Sequence, residues 1–134
     1  MTQPYPEGPD ESIAVMDYRQ QAREFLDQSR EYLANGQLHQ ASEKGWGAAA
    51  WMAKAIAEAQ GWRYDRHDHF QVVLNNVRVM TGNNRLIDLS AVAHNLHRNF
   101  YVRRRFLDME EIGLSLDRIA ELLDILEPLT CAGQ

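Results

Sequence analysis

Ile112-Gly113-Leu114-Ser115-Leu116-Asp117-Arg118-Ile119-Ala120-Glu121-Leu122-Leu123-Asp124-Ile125-Leu126 is the stretch that decides the fold class. Ile112, Leu116, Ile119, Leu123 and Leu126 follow one another at steps of 4, 3, 4 and 3, which lines them along one side of an α-helix. A half-buried strand would instead show apolar residues at every second position. Asp108 with Glu111 three residues later has the form of a capping box, so this helix is predicted to start near Met109. Pro128 closes it. Upstream, Leu86, Leu89, Ala93, Leu96 and Phe100 repeat the series as 3, 4, 3 and 4 and predict a second helix with the same kind of seam.

Three more helices precede these two. Thr81-Gly82-Asn83-Asn84 reads as a turn, and before it Phe70, Val73, Leu74, Val77 and Met80 predict a shorter helix capped by Asp65 or Asp68. Residues 37–60 are rich in alanine and carry Leu38, Ala41, Ala48, Met52, Ile56 and Ala59 on one face, with Gly61 as the stop. Gly45 and Gly47 lie inside that helix, where each costs about 1 kcal/mol relative to alanine. The pair therefore predicts that another backbone packs closely there. Residues 12–34 form the first helix, with Ile13, Tyr18, Ala22, Phe25, Tyr32 and Leu33 as its apolar positions and Asn35-Gly36 as its end. No strand pattern persists anywhere. The predicted fold is all-α, an antiparallel up-and-down bundle of four long helices and one shorter. It forms one domain over residues 12–128, between a flexible leader of residues 1–11 with three prolines and a short tail of residues 129–134.

Composition agrees with a globular domain. The chain has 134 residues, 45% of them apolar, which excludes disorder and collagen. Cys131 is the single cysteine, so no disulfide can form within the chain. There is no basic apolar leader and no apolar run of the ~18 residues that a membrane span needs. A cytoplasmic protein without membrane contact is the expectation. The net charge of −5 is unevenly spread: residues 62–105 carry +5 and residues 106–134 carry −6. Either the helices neutralise one another when packed, or the middle presents a positive face to an anion.

The residues able to carry chemistry cluster in the basic segment. Ser90, His94, His97 and Tyr101 step by 4, 3 and 4 along the fourth helix, a polar stripe beside its apolar seam. An imidazole there can hydrogen-bond a nucleotide or exchange a proton. Arg98 and the run Arg103-Arg104-Arg105 suit bidentate contact with phosphate, with aromatic residues between them on which bases stack. These residues are the candidate ligand site. His67 and His69 in the loop before the third helix, with His94 and His97, are the only spacing that permits a metal, but no carboxylate stands at a Glu-x-x-His position, so neither a metal nor a cofactor is expected. No phosphate-cradling loop and no nucleophile elbow is present. Trp46, Trp51, Gly45 and Gly47 are the candidate interface.

Ala41-Ser42-Glu43-Lys44-Gly45-Trp46-Gly47-Ala48-Ala49, followed by Ala93-His94-Asn95-Leu96-His97-Arg98-Asn99-Phe100-Tyr101, resembles the paREP/HEPN-like group of small helical prokaryotic proteins over residues 12–128. The resemblance implies a HEPN-like bundle that dimerises through its helices. It further implies a module that binds a nucleotide, RNA or a partner protein, or alternatively a metal-independent RNase of the toxin-antitoxin kind. RNase members of that superfamily carry an arginine and a histidine separated by a short spacer near the start of a late helix. Here Arg63 and His69 have such a spacing but precede the third helix, Arg85 stands too far from His94, and no histidine follows Arg98. A non-catalytic homodimeric binding module is the resulting expectation.

Overall fold

In a computed structural model, which describes residues 12–101 and 107–131 apart from the Tyr101 side chain, Ser12 starts the first helix. Its Oγ accepts the Val15 N–H at 3.0 Å, and α1 runs Ile13–Ala34. Gly36 takes the left-handed conformation, φ 77°, that lets the chain reverse. Then α2 runs Leu38–Gln60, α3 His69–Thr81, α4 Arg85–Tyr101 and α5 Met109–Leu126. The protein is an all-helical bundle of four long helices and one shorter, and the described residues contain no strand. The leader, residues 1–11, and the end of the tail, residues 132–134, lie outside the described residues.

The capping box forms as predicted. Asp108 Oδ1 accepts the Glu111 N–H at 2.8 Å, and Glu111 Oε1 accepts the Asp108 N–H at 3.0 Å. Pro128 does not end the packed body, however. Glu127–Thr130 forms a 3-10 turn whose Leu129 packs on the core and whose Thr130 is buried, with its Oγ1 accepting from Arg19 at 2.9 Å. A proline suits the first turn of such an element, where its missing N–H costs nothing. The expected tail therefore begins after Thr130.

Helix α2 is the hub, touching α1, α3, α4, α5 and the closing turn. The two seams that define the fold are buried as predicted: Leu86, Leu89, Ala93 and Leu96 on α4, and all five seam residues of α5. Phe100 is half-buried. On α1 the expected Ala22 is buried and Phe25, Tyr32 and Leu33 pack against the core, but the centre of the face is shifted. Val15, Ala22, Leu26 and Ser29 point inward, while Ile13 is 76% exposed. Ser29 is admitted because its Oγ donates to Ala41 O at 2.6 Å, joining α1 to α2.

The glycines of α2 permit close packing, though by side chains rather than backbone. A Cβ on Gly45 would sit 2.7 Å from a Leu116 methyl and 3.0 Å from one of Leu96. One on Gly47 would sit 2.5 Å from the Phe25 ring. The acidic α5 is partly neutralised by its neighbours: Arg23 pairs with Asp124 and Glu127, Arg30 with Asp117, and Arg85 with Glu121. Among the described residues no helix is long and apolar enough to cross a membrane.

Candidate functional site

Successive residues of a helix turn by about 100°, so Trp46, next to the core-facing Gly45, leaves the core on the side of α3 and α4. There it meets the polar stripe of α4. The His97 ring stacks on the indole at 4.4 Å between centroids and 28° between planes, and the His94 ring lies at 5.7 Å. His67, from the connection between α2 and α3, stacks on His97 at 5.4 Å and reaches Trp46 at 6.3 Å. Phe70 closes the group edge-on to Trp46, at 4.8 Å. One tryptophan, 6% exposed, thus gathers three histidines from two elements.

These imidazoles are engaged in packing. His94 Nε2 lies 2.8 Å from Gln71 Oε1, and burial holds its pKa below the ordinary histidine value. His97 is held low by burial first and then by the charges of His67 and His94. Ser90, the first residue of the stripe, is buried, and its hydroxyl donates back to Ile87 O at 3.0 Å. The stripe is consequently covered by α2 and α3 along its first two turns. Arg98 is exposed at the end of α4. Arg103, Arg104, Arg105 and the side chain of Tyr101 lie outside the described residues.

His69 stands apart from that group. Its Nδ1 accepts the Asp65 N–H at 3.0 Å, and Arg63 Nε donates to the same aspartate at 3.0 Å. The Arg63 hydrogen bond keeps the Asp65 carboxyl below its usual pKa. Arg63 and His69 therefore meet on one aspartate, Arg63 at its carboxylate and His69 at its backbone N–H. Among the described residues no three His, Cys, Asp or Glu side chains are grouped to hold a metal ion, the four candidate histidines included.

Beyond the edge of Trp46 the surface opens. Trp46, Ala50 and Lys54 form one row of α2, with Gly47 and Trp51 in the next. Together with Tyr64, Asp65, Arg66 and His67 they enclose a cleft of about 300 Å³. Ala50 adds little side-chain bulk to its floor. Burial pushes the Tyr64 hydroxyl up to about 12. Of the four expected interface residues, Gly45 packs inside the chain, Gly47 meets Phe25, Trp46 is buried under the histidines, and Trp51 remains partly exposed at the cleft.

The sequence profile described as the archaeal PaREP1/PaREP8 family matches residues 17–123. The chain belongs to the archaeal PaREP1/PaREP8 family. The matched span of this PaREP1/PaREP8 protein runs from the first turns of α1 into α5, and so holds Trp46, the histidine group and every residue of the cleft. No curated protein and no solved structure matches the chain. Lys54, Tyr64, Arg66, Phe70 and Gln71 are the site residues that the sequence left unmarked. Lys54 had a usable signal, a cation one turn beyond Trp51 on an alanine-rich helix. Tyr64 and Gln71 had none, since their roles depend on how a loop folds back on α2.

Proposed function

We propose that this PaREP1/PaREP8 chain is a non-catalytic, HEPN-like binding module that works as a homodimer and takes a nucleotide or an RNA strand. One observation carries the reading: His97 stacks on Trp46 with His94 tilted beside it, and burial lowers the pKa of both, so the imidazoles serve as aromatic surface rather than as proton carriers. The pair whose spacing matches the RNase pattern is spent on its own aspartate, since Arg63 and His69 both bind Asp65. Arg98, with the run Arg103-Arg104-Arg105, supplies the phosphate contacts. Support for the dimer comes from Val72 and Val79, two turns apart on α3 and exposed by 50% and 73%, an apolar pair on one helix face that a second copy can cover.

Titration of a short fluorescent single-stranded RNA tests the reading. Anisotropy should rise with protein concentration, the affinity should fall steeply as salt increases, and the RNA should stay intact. Arg98→Gln should weaken binding and flatten the salt slope. Light scattering after size exclusion should give twice the chain mass. No anisotropy change at low salt, or a monomer at micromolar concentration, would remove the reading; cleavage of the RNA would favour the RNase alternative.

A further inference from the structure

The most open surface around Trp46 is the cleft between α2 and the connection of residues 61–68, away from the arginine end of α4. We infer that this cleft is a separate binding site for a single flat aromatic ring system bearing one anionic group. Its volume of about 300 Å³ stands at the small end of ligand sites, which run from about 300 to 1,000 Å³. It fits one or two rings and excludes an extended chain of bases.

The walls specify the ring. Trp51 and Tyr64 present partly exposed aromatic surface, and the edge of Trp46 and the ring of His67 complete the lining. Such walls gain most from another π-face, in offset or edge-on contact. The small side chain of Ala50 leaves a floor that a flat ligand can approach.

The charges specify the anion. Arg66 donates twice to Asp68, at 3.2 and 2.9 Å, and Asp65 is taken by Arg63 at 3.0 Å. Both pairs are compensated. Lys54 differs: its Nζ sits 5.0 Å from the ring centroids of Trp51 and of Tyr18, and among the described residues it has no carboxylate partner. One cation is left at the end of an aromatic slot. Its natural complement is a single carboxylate or phosphate attached to the ring that fills the slot, with the Tyr64 hydroxyl as an additional donor.

This site does not require the RNA reading, and the test separates the two. Titrations monitored through the tryptophan indole N–H resonances would use indole-3-carboxylate and adenosine 5′-monophosphate. Uncharged indole, adenosine, acetate and inorganic phosphate are the controls. Both aromatic anions should shift the Trp51 and Trp46 signals and leave Trp62, outside the cleft, in place, whereas the ring alone or the anion alone should bind about tenfold more weakly or not at all. Binding of the carboxylate alone would identify a free aromatic acid as the ligand; binding of the nucleotide, a phosphorylated base. Lys54→Gln should reduce affinity for the anions about tenfold without changing that for indole, and Trp51→Ala should abolish both, with the helical circular-dichroism signal retained. The site is overturned if neither anion shifts Trp51 at millimolar concentration, or if Lys54→Gln binds the anions as well as the wild type. RNA binding that survives this result leaves the reading based on Arg98 standing, and aromatic anions that bind where RNA does not leave the cleft standing.

Discussion

Asn99 shows how much one buried polar side chain can connect. It is fully buried on α4, its Nδ2 donates to Ser42 Oγ on α2 at 2.7 Å, and its Oδ1 accepts the Leu107 N–H at 3.0 Å. Asn99→Ala removes these bonds and strands a backbone donor that sits just before α5. The expected loss is about 2–3 kcal/mol, read as a lower urea midpoint at unchanged slope. Nothing in the sequence marks Asn99, because an asparagine on a helix is ordinarily a surface residue. Gly45 and Gly47 were legible as sites of close approach, since two glycines in one helical turn need a reason. What approaches was not, because Leu96 and Leu116 come from positions some fifty and seventy residues further on.

Helix ends and helix faces differ in how local their causes are. The Asp108 capping box needs only residues 108 to 111, and it forms as the sequence predicts. Asp108→Ala should cost about 1 kcal/mol, whereas Asp108→Asn should retain most of the cap; thermal unfolding of the two variants separates a lost hydrogen bond from a lost charge. At α3 the same kind of signal was ambiguous between Asp65 and Asp68. Asp68 occupies the cap position, but in helical backbone geometry and without a side-chain bond to the helix. Its carboxylate binds Arg66 instead, and Asp65 serves Arg63 and His69. Faces are harder still. The α5 seam is correct at every position because large aliphatic residues recur along it at steps of 3 and 4, whereas α1 mixes aromatics, alanine and serine. There Ser29 turns inward through its bond to Ala41, and a search for large apolar residues passes over it.

For the whole molecule, the histidine group predicts how stability depends on pH. His94 and His97 are held below the ordinary value of 6.5 in the folded chain. The unfolded chain takes up protons near pH 6.5 that the folded one does not. Stability from these residues is therefore complete above that pH and is lost as pH falls through it toward the lowered folded values. Around the pair stand His67 from the connection, Gln71 from α3 and Trp46 from α2. Unfolding free energy from urea titrations should drop as the pH falls through the ordinary histidine value of 6.5, and the double variant His94→Gln/His97→Gln should flatten that drop. Asp65 and Glu121, held low by Arg63 and Arg85, lose their contribution only at more acid pH, so the two effects separate. The all-helical class, the number of helices, their approximate ends, the α4 and α5 seams and the charge partition all follow from residues within a turn or two of one another. Such features are governed by backbone geometry and by contacts three and four positions apart, which a linear chain already displays. That Trp46 joins His67, His94, His97 and Phe70, and that Trp51, Lys54 and Tyr64 border a cleft, depends on how closely α1, α4 and α5 pack against the small-residue side of α2. Those contacts are long-range, set by packing across the whole core.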